Sequence, residues 1–81
     1  MADRSLPFRR LKQILSTFGV AFDARKGKGS HGTFFKFMDS GYASFTIPHR
    51  KDVLLPYVRA CRKKFRLTEA DGVNDTDFYN A

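Results

Sequence analysis

His31 is the residue of this chain best suited to chemistry, and the stretch that carries it, KGKGSHGTFF over residues 26–35, surrounds it with cations and glycines. An imidazole with an unperturbed pKa near ~6.5 can hold or release a proton at neutral pH, and as a general base or acid it contributes about 10²–10⁴ in rate. RNA suits such a group because it carries its own nucleophile, the ribose 2′-hydroxyl beside the scissile phosphate. Cleavage then needs a base for that proton, cations for the added phosphate charge and an acid for the leaving oxygen. Lys26, Lys28 and Arg50 could supply charge, Ser30 and His49 could support the histidine, and the glycines would let backbone N–H groups approach a phosphate. Other schemes fit less well. The GxxxxGK[ST] spacing of a Walker loop is missing, and Ser30 and His31 as sequence neighbours do not make a triad. Asp3, Asp23, Asp39 and Asp52 form no paired metal cluster, and Cys61, His31 and His49 fall short of a four-ligand zinc site. No metal and no small-molecule cofactor is expected. The plain alternative is that a histidine among glycines is a turn residue and KGKG a flexible connection.

Bulk charge favours a polyanionic partner. Lys and Arg number 15 against 8 Asp and Glu, a net charge of +7 with a pI near 10.0. The charge is uneven: all 15 basic residues lie between Arg4 and Arg66, whereas Glu69, Asp71, Asp75 and Asp77 are acidic, so residues 1–66 carry +11 and residues 67–81 carry −4. Basic side chains also keep small proteins in solution, but at this pI nucleic acid is the favoured partner. Eighty-one residues with 42% apolar content make one small globular domain with a marginal core. The single Cys61 cannot form an intrachain disulfide, and neither a signal-peptide stretch nor a run of about 18 apolar residues occurs, so a cytoplasmic location and no membrane partner are expected.

Five elements must position the candidate groups. In SLPFRRLKQILSTFG, Ser5 offers an N-cap, Pro7 fits the first turn, and Phe8, Leu11, Ile14, Leu15 and Phe18 recur at helical spacing until Gly19 stops the helix. VAFDAR is a short strand, and TFFKFMD and YASFTIP are two more, joined near Ser40-Gly41. After the basic connector HRKD, a second helix starts near Leu55 with Pro56 in its first turn. Leu54, Val58, Cys61 and Phe65 mark its buried stripe, with Arg59, Arg62, Lys63, Lys64 and Arg66 on the other side. LTEADGVNDTDFYNA provides capping residues but few core anchors, which predicts one short turn and a loose end over an acidic extension, residues 67–81. The order α-β-β-β-α predicts an α+β domain over residues 1–66, with a three-stranded antiparallel sheet burying one face under two helices.

The register decides where His31 lies. Ala43, Phe45 and Ile47 alternate toward the core, and Lys36 argues that the matching face of the preceding strand carries Phe35 and Phe37 rather than Phe34, Lys36 and Met38. Met38 then pairs with Tyr42, Asp39-Ser40-Gly41 becomes a three-residue loop with glycine at its left-handed position, and His31 falls opposite His49 at the sheet's rim. A two-residue Ser40-Gly41 turn would shift the register by one and send the two histidines to opposite faces.

The helix stopped by phenylalanine-glycine, the short strand, GSH at residues 29–31, a strand ending in Pro48 with His49 beside it, and the basic second helix together resemble the HicA-type toxins of bacterial toxin–antitoxin systems, over residues 5–66. The resemblance implies a double-stranded-RNA-binding-domain-like fold, metal-independent cleavage of mRNA with His31 as the catalytic histidine, and neutralisation by a HicB-type antitoxin that covers the site. Two departures stand out. Many members place a second histidine two residues after the proline, where this chain has Arg50, and the acidic extension lies outside the common core. The phosphate contacts expected near the site are Lys26, Lys28, Lys36, Arg50 and Lys51, and a wider footprint would include Arg9, Arg10, Arg59, Arg62 and Lys63. Among aromatics, Phe34 or Tyr42 are the candidates for stacking on single-stranded RNA, with Phe8, Phe35, Phe37, Phe45 and Phe65 assigned to the core.

Overall fold

The computed structural model of the protein describes residues 5–24, 31–39, 41–48 and 52–81. Helix α1 (Phe8–Thr17) forms where the apolar spacing requires it and buries Leu11, Ile14 and Leu15. It ends in a Schellman motif: Val20 N–H donates to Leu15 O at 2.9 Å and Gly19 N–H to Ser16 O at 3.0 Å, with Gly19 at φ +82°. Strands β2 (Ala21–Asp23), β3 (His31–Met38) and β4 (Gly41–Pro48) build an antiparallel sheet in the order β2-β3-β4. Helix α2 (Leu55–Lys64) follows, with Pro56 in its first turn and Val58, Cys61 and Arg62 buried. The fold is thus mixed α+β, and its core joins α1, α2, Phe34 and Ile47 of the sheet, and Phe78 and Tyr79 near the end of the chain.

The register differs from both expected ones. Met38 pairs with Gly41, Phe34 with Phe45, Lys36 with Ala43, and His31 with Pro48. Two residues separate the strands, and the expected pairs Phe35 with Phe45 and His31 with His49 do not form. The face assignment of β3 inverts with the slip. Phe34 is fully buried beside Phe8 and Phe22, at ring-centroid distances of 5.9 and 4.8 Å, while Phe37 is 77% exposed. The inference from Lys36 fails because that side chain only lines the rim of the core. The Lys36 side chain is half-buried beside the end of α1, where a Cβ added at Gly19 would meet its Cε at 3.6 Å, an ordinary van der Waals contact. The core face of β4 is as expected, with Ile47 buried and Ala43 and Phe45 packed against the core.

Two further contacts close the domain. Leu6 pairs with Val53 and Pro7 with Asp52, so β1 (Leu6–Pro7) and β5 (Asp52–Val53) form a two-stranded clasp that joins the starts of the two helices. Ser5 does not cap α1, whose N-cap is Pro7; its Oγ instead accepts the Leu55 N–H at 3.0 Å, the first residue of α2. Leu54, expected in the buried stripe, sits at that helix's N-cap and is 49% exposed.

Residues 67–81 are packed rather than loose. A 3₁₀ turn (Glu69–Asp71) carries a reciprocal capping box between Thr68 and Asp71, and α3 (Asp75–Tyr79) is capped by Asn74 Oδ1, which accepts the Asp77 N–H at 2.8 Å. Phe78 is fully buried and stacks against Phe18 at 6.1 Å. The Phe78-Tyr79 pair is therefore the anchor that the sparse apolar content of this segment concealed.

Candidate nucleic-acid interface

His31 opens β3, with its backbone paired to Pro48 and in phase with Thr33, Phe35 and Phe37, on the strand face opposite the one that buries Phe34. Its side chain lies outside the described residues, as do Lys26, Lys28, Ser30, His49, Arg50 and Lys51.

The neighbour of His31 explains part of the motif in packing terms. A Cβ at Gly32 would fall inside contact distance of three atoms of the Phe22 ring, so the ring closes directly over this backbone. Phe22 is in turn met edge-on by Phe8 at 5.1 Å, and the Lys12 ammonium lies 5.6 Å from its centroid. One aromatic ring thus connects α1 and its Lys12 to the end of β3 that begins at His31. Arg9 and Lys12 are exposed and line a shallow depression on α1 together with Gln13 and Ser16. On α2, Arg59 and Lys63 are exposed beside a second depression, which Glu69 and Asp75 also line.

Three of the expected phosphate contacts do other things. Arg62 is 4% exposed: its Nε donates to Leu67 O at 2.9 Å, its Nη2 to Val73 O at 2.9 Å and its Nη1 to Asp75 Oδ1 at 2.8 Å, with the guanidinium 4.6 Å from the Phe78 centroid. A guanidinium so enclosed fastens the acidic segment to α2 and is not available as the phosphate contact expected of it. Arg10 is similarly engaged, donating to Tyr79 O at 2.9 Å and Ala81 O at 3.1 Å. Lys36 lies five residues from His31, roughly 16 Å along an extended strand, and on the other face, so it does not join the histidine's rim. Arg62 and Arg10 were invisible as structural residues because their partners lie up to 71 positions away.

Comparison of the chain with protein-family models, with curated proteins and with solved structures finds no match to any of them.

The aromatic candidates also exchange places. Phe34 is buried, whereas Phe37 and Tyr42, at 77% and 48% exposure, stand together with Phe35 on the outer side of the sheet. The ring centroids are 5.0 Å apart for Phe37 and Tyr42 and 6.1 Å for Phe35 and Tyr42. Among the described residues, the titratable groups of Cys61 and Asp71 are shifted. Burial pushes the Cys61 thiol up to about 12, so this cysteine is an inert core residue rather than a nucleophile. The Thr68 hydroxyl, and after it the Thr68 N–H, hold the Asp71 carboxyl below the ordinary aspartate value. Among the described residues, no three His, Cys, Asp or Glu side chains group as metal ligands, and no helix is long and apolar enough to cross a membrane.

Proposed function

We propose that the protein is an RNA-cleaving toxin of the HicA type, a metal-independent endoribonuclease that acts on mRNA through His31 and is silenced by a HicB-type antitoxin. On this reading the α1-β2-β3-β4-α2 order is a double-stranded-RNA-binding-domain-like arrangement, to which the acidic segment adds a buried brace. The observation that carries the proposal is the contact chain from Gly32 through Phe22 to Lys12, which brings a basic helix face to the end of β3 that His31 opens.

His31 takes the proton of the ribose 2′-hydroxyl as that oxygen attacks the adjacent phosphorus. The bond to the 5′-oxygen of the next nucleotide breaks, that oxygen takes a proton from solvent water, and the products are a 2′,3′-cyclic phosphate and a 5′-hydroxyl, with the 2′-hydroxyl proton left on His31 and later released to solvent. Cations stabilise the charge that builds on the phosphoryl oxygens, with Lys26, Lys28, Arg50 and Lys51 assigned nearest and Arg9, Arg59 and Lys63 in the wider footprint.

The test is incubation of purified protein with a labelled oligoribonucleotide in excess EDTA. Cleavage to 2′,3′-cyclic phosphate ends is expected, and a single 2′-deoxy sugar at the cut position should abolish it. Binding without any cleavage would instead assign a non-catalytic RNA-binding module of the same fold.

A further inference from the structure

We infer that the outer face of the sheet is a track for single-stranded RNA, with bases stacking on Phe37, Tyr42 and Phe35 at the end of β3 away from His31. The inference rests on the RNA reading above and adds to it the form of the substrate and the residues that hold its bases.

Three observations converge. First, the rings are clustered: exposed Tyr42 meets both exposed Phe37 and half-buried Phe35, on a sheet face that the core cluster does not use. Sheets that bind single strands offer such aromatics to two or three bases, because every base has a π-face. Second, Phe35 and Phe37 lie on alternate positions of one strand in phase with His31, and Thr33, between His31 and the rings, is 6% exposed, so the ring patch is the open end of this face. Six residues at about 3.3 Å each separate Phe37 from His31, roughly 20 Å, a span that an extended single strand crosses in a few nucleotides. Third, the far end carries positive charge. Lys36 and Arg66 line the depression beside Phe37, together with Met38 and Asp39.

Arg66 carries a second sign of this role. It occupies the same Schellman position after α2 that Gly19 occupies after α1, with Leu67 N–H donating to Arg62 O at 2.7 Å, yet it is a non-glycine residue at φ +56°. Glycine relieves that conformation, so an arginine there sits against local backbone preference, beside Phe37.

The experiment measures binding of a fluorescein-labelled twelve-nucleotide single-stranded RNA, and of its duplex, by anisotropy, in a His31→Ala background that leaves the probe uncut. Phe37→Ala and Tyr42→Ala should each weaken single-strand binding about fivefold to a hundredfold, with duplex binding and the salt slope unchanged. Arg66→Gly should raise the melting temperature, weaken single-strand binding and flatten the salt slope by about 0.7. Single-strand affinity unchanged in Phe37→Ala, with salt-dependent RNA binding intact, would overturn the track and leave the RNA reading standing. Self-association that disappears in Phe37→Ala would overturn it in favour of a second copy on this face. No binding to either RNA by the unsubstituted outer face would remove the RNA reading itself.

Discussion

Phe22 closes over Gly32 so tightly that any side chain at that position would have to displace the ring. The second glycine of GSHG therefore has a packing reason to be glycine that owes nothing to a phosphate. Because Phe8, Phe34 and Lys12 all meet the same ring, the contact ties the first helix to the strand that His31 begins.

Gly32→Ala should destabilise the domain by about 1–3 kcal/mol, the usual cost of overpacking a filled core. Urea denaturation measures it. Combining the change with Phe22→Leu, which opens space over the backbone, should cost less than the two single changes together. Strict additivity would show that the two residues are not in the contact described.

Arg62 is predicted to matter for stability and not for RNA. Arg62→Ala should cost about 3 kcal/mol, since it leaves Asp75 and two carbonyls without their donor and strips a cation from the Phe78 ring. Phe78→Ala should cost about 3–5 kcal/mol. Lys63→Ala, on the exposed side of the same helix, should change stability by less than about 0.5 kcal/mol and should weaken RNA binding. Equal stability losses for Arg62→Ala and Lys63→Ala would contradict the brace.

The Asp71 carboxylate accepts from the Thr68 hydroxyl at 2.6 Å and from the Thr68 N–H at 3.2 Å, and both bonds favour its ionised form. Its folded-state pKa is lower than its unfolded one, near ~3.9. The resulting stabilisation is complete above the unfolded value and disappears as pH falls through the folded value. Carboxyl NMR titration should find Asp71 below the ordinary aspartate value, and Thr68→Val should return it toward that value. An Asp71 titration indifferent to Thr68→Val would rule out the capping box as the cause.

Helices α1 and α2 and the three strands of the main sheet were legible because they depend on local patterns: apolar residues every three or four positions from Phe8 to Phe18, a glycine stop, and strand runs rich in Phe, Thr and Ile. What was not legible depends on distance. Lys36 argued for the wrong face because its side chain is only half-buried, beside the end of α1, a neighbourhood that no period-two pattern encodes. Ser5 read as a cap for the helix beside it and caps the one fifty residues on. The last segment looked unanchored because two aromatic residues in a five-residue helix carry no periodicity, and Arg62 looked like a surface cation because its acceptors lie beyond the helix end. The site divides in the same way. Phe37 was assigned to the core and Phe34 to RNA, and one slip of register buries Phe34 and exposes Phe37.

The central claim is that His31 carries the chemistry and the rest of the domain carries binding. The most direct measurement is RNA cleavage in EDTA by the wild-type protein and by His31→Ala, with RNA binding and thermal melting recorded for both. The account predicts that His31→Ala melts and binds like the wild type and loses cleavage by about a hundredfold or more. Undiminished cleavage by a folded His31→Ala protein would contradict it.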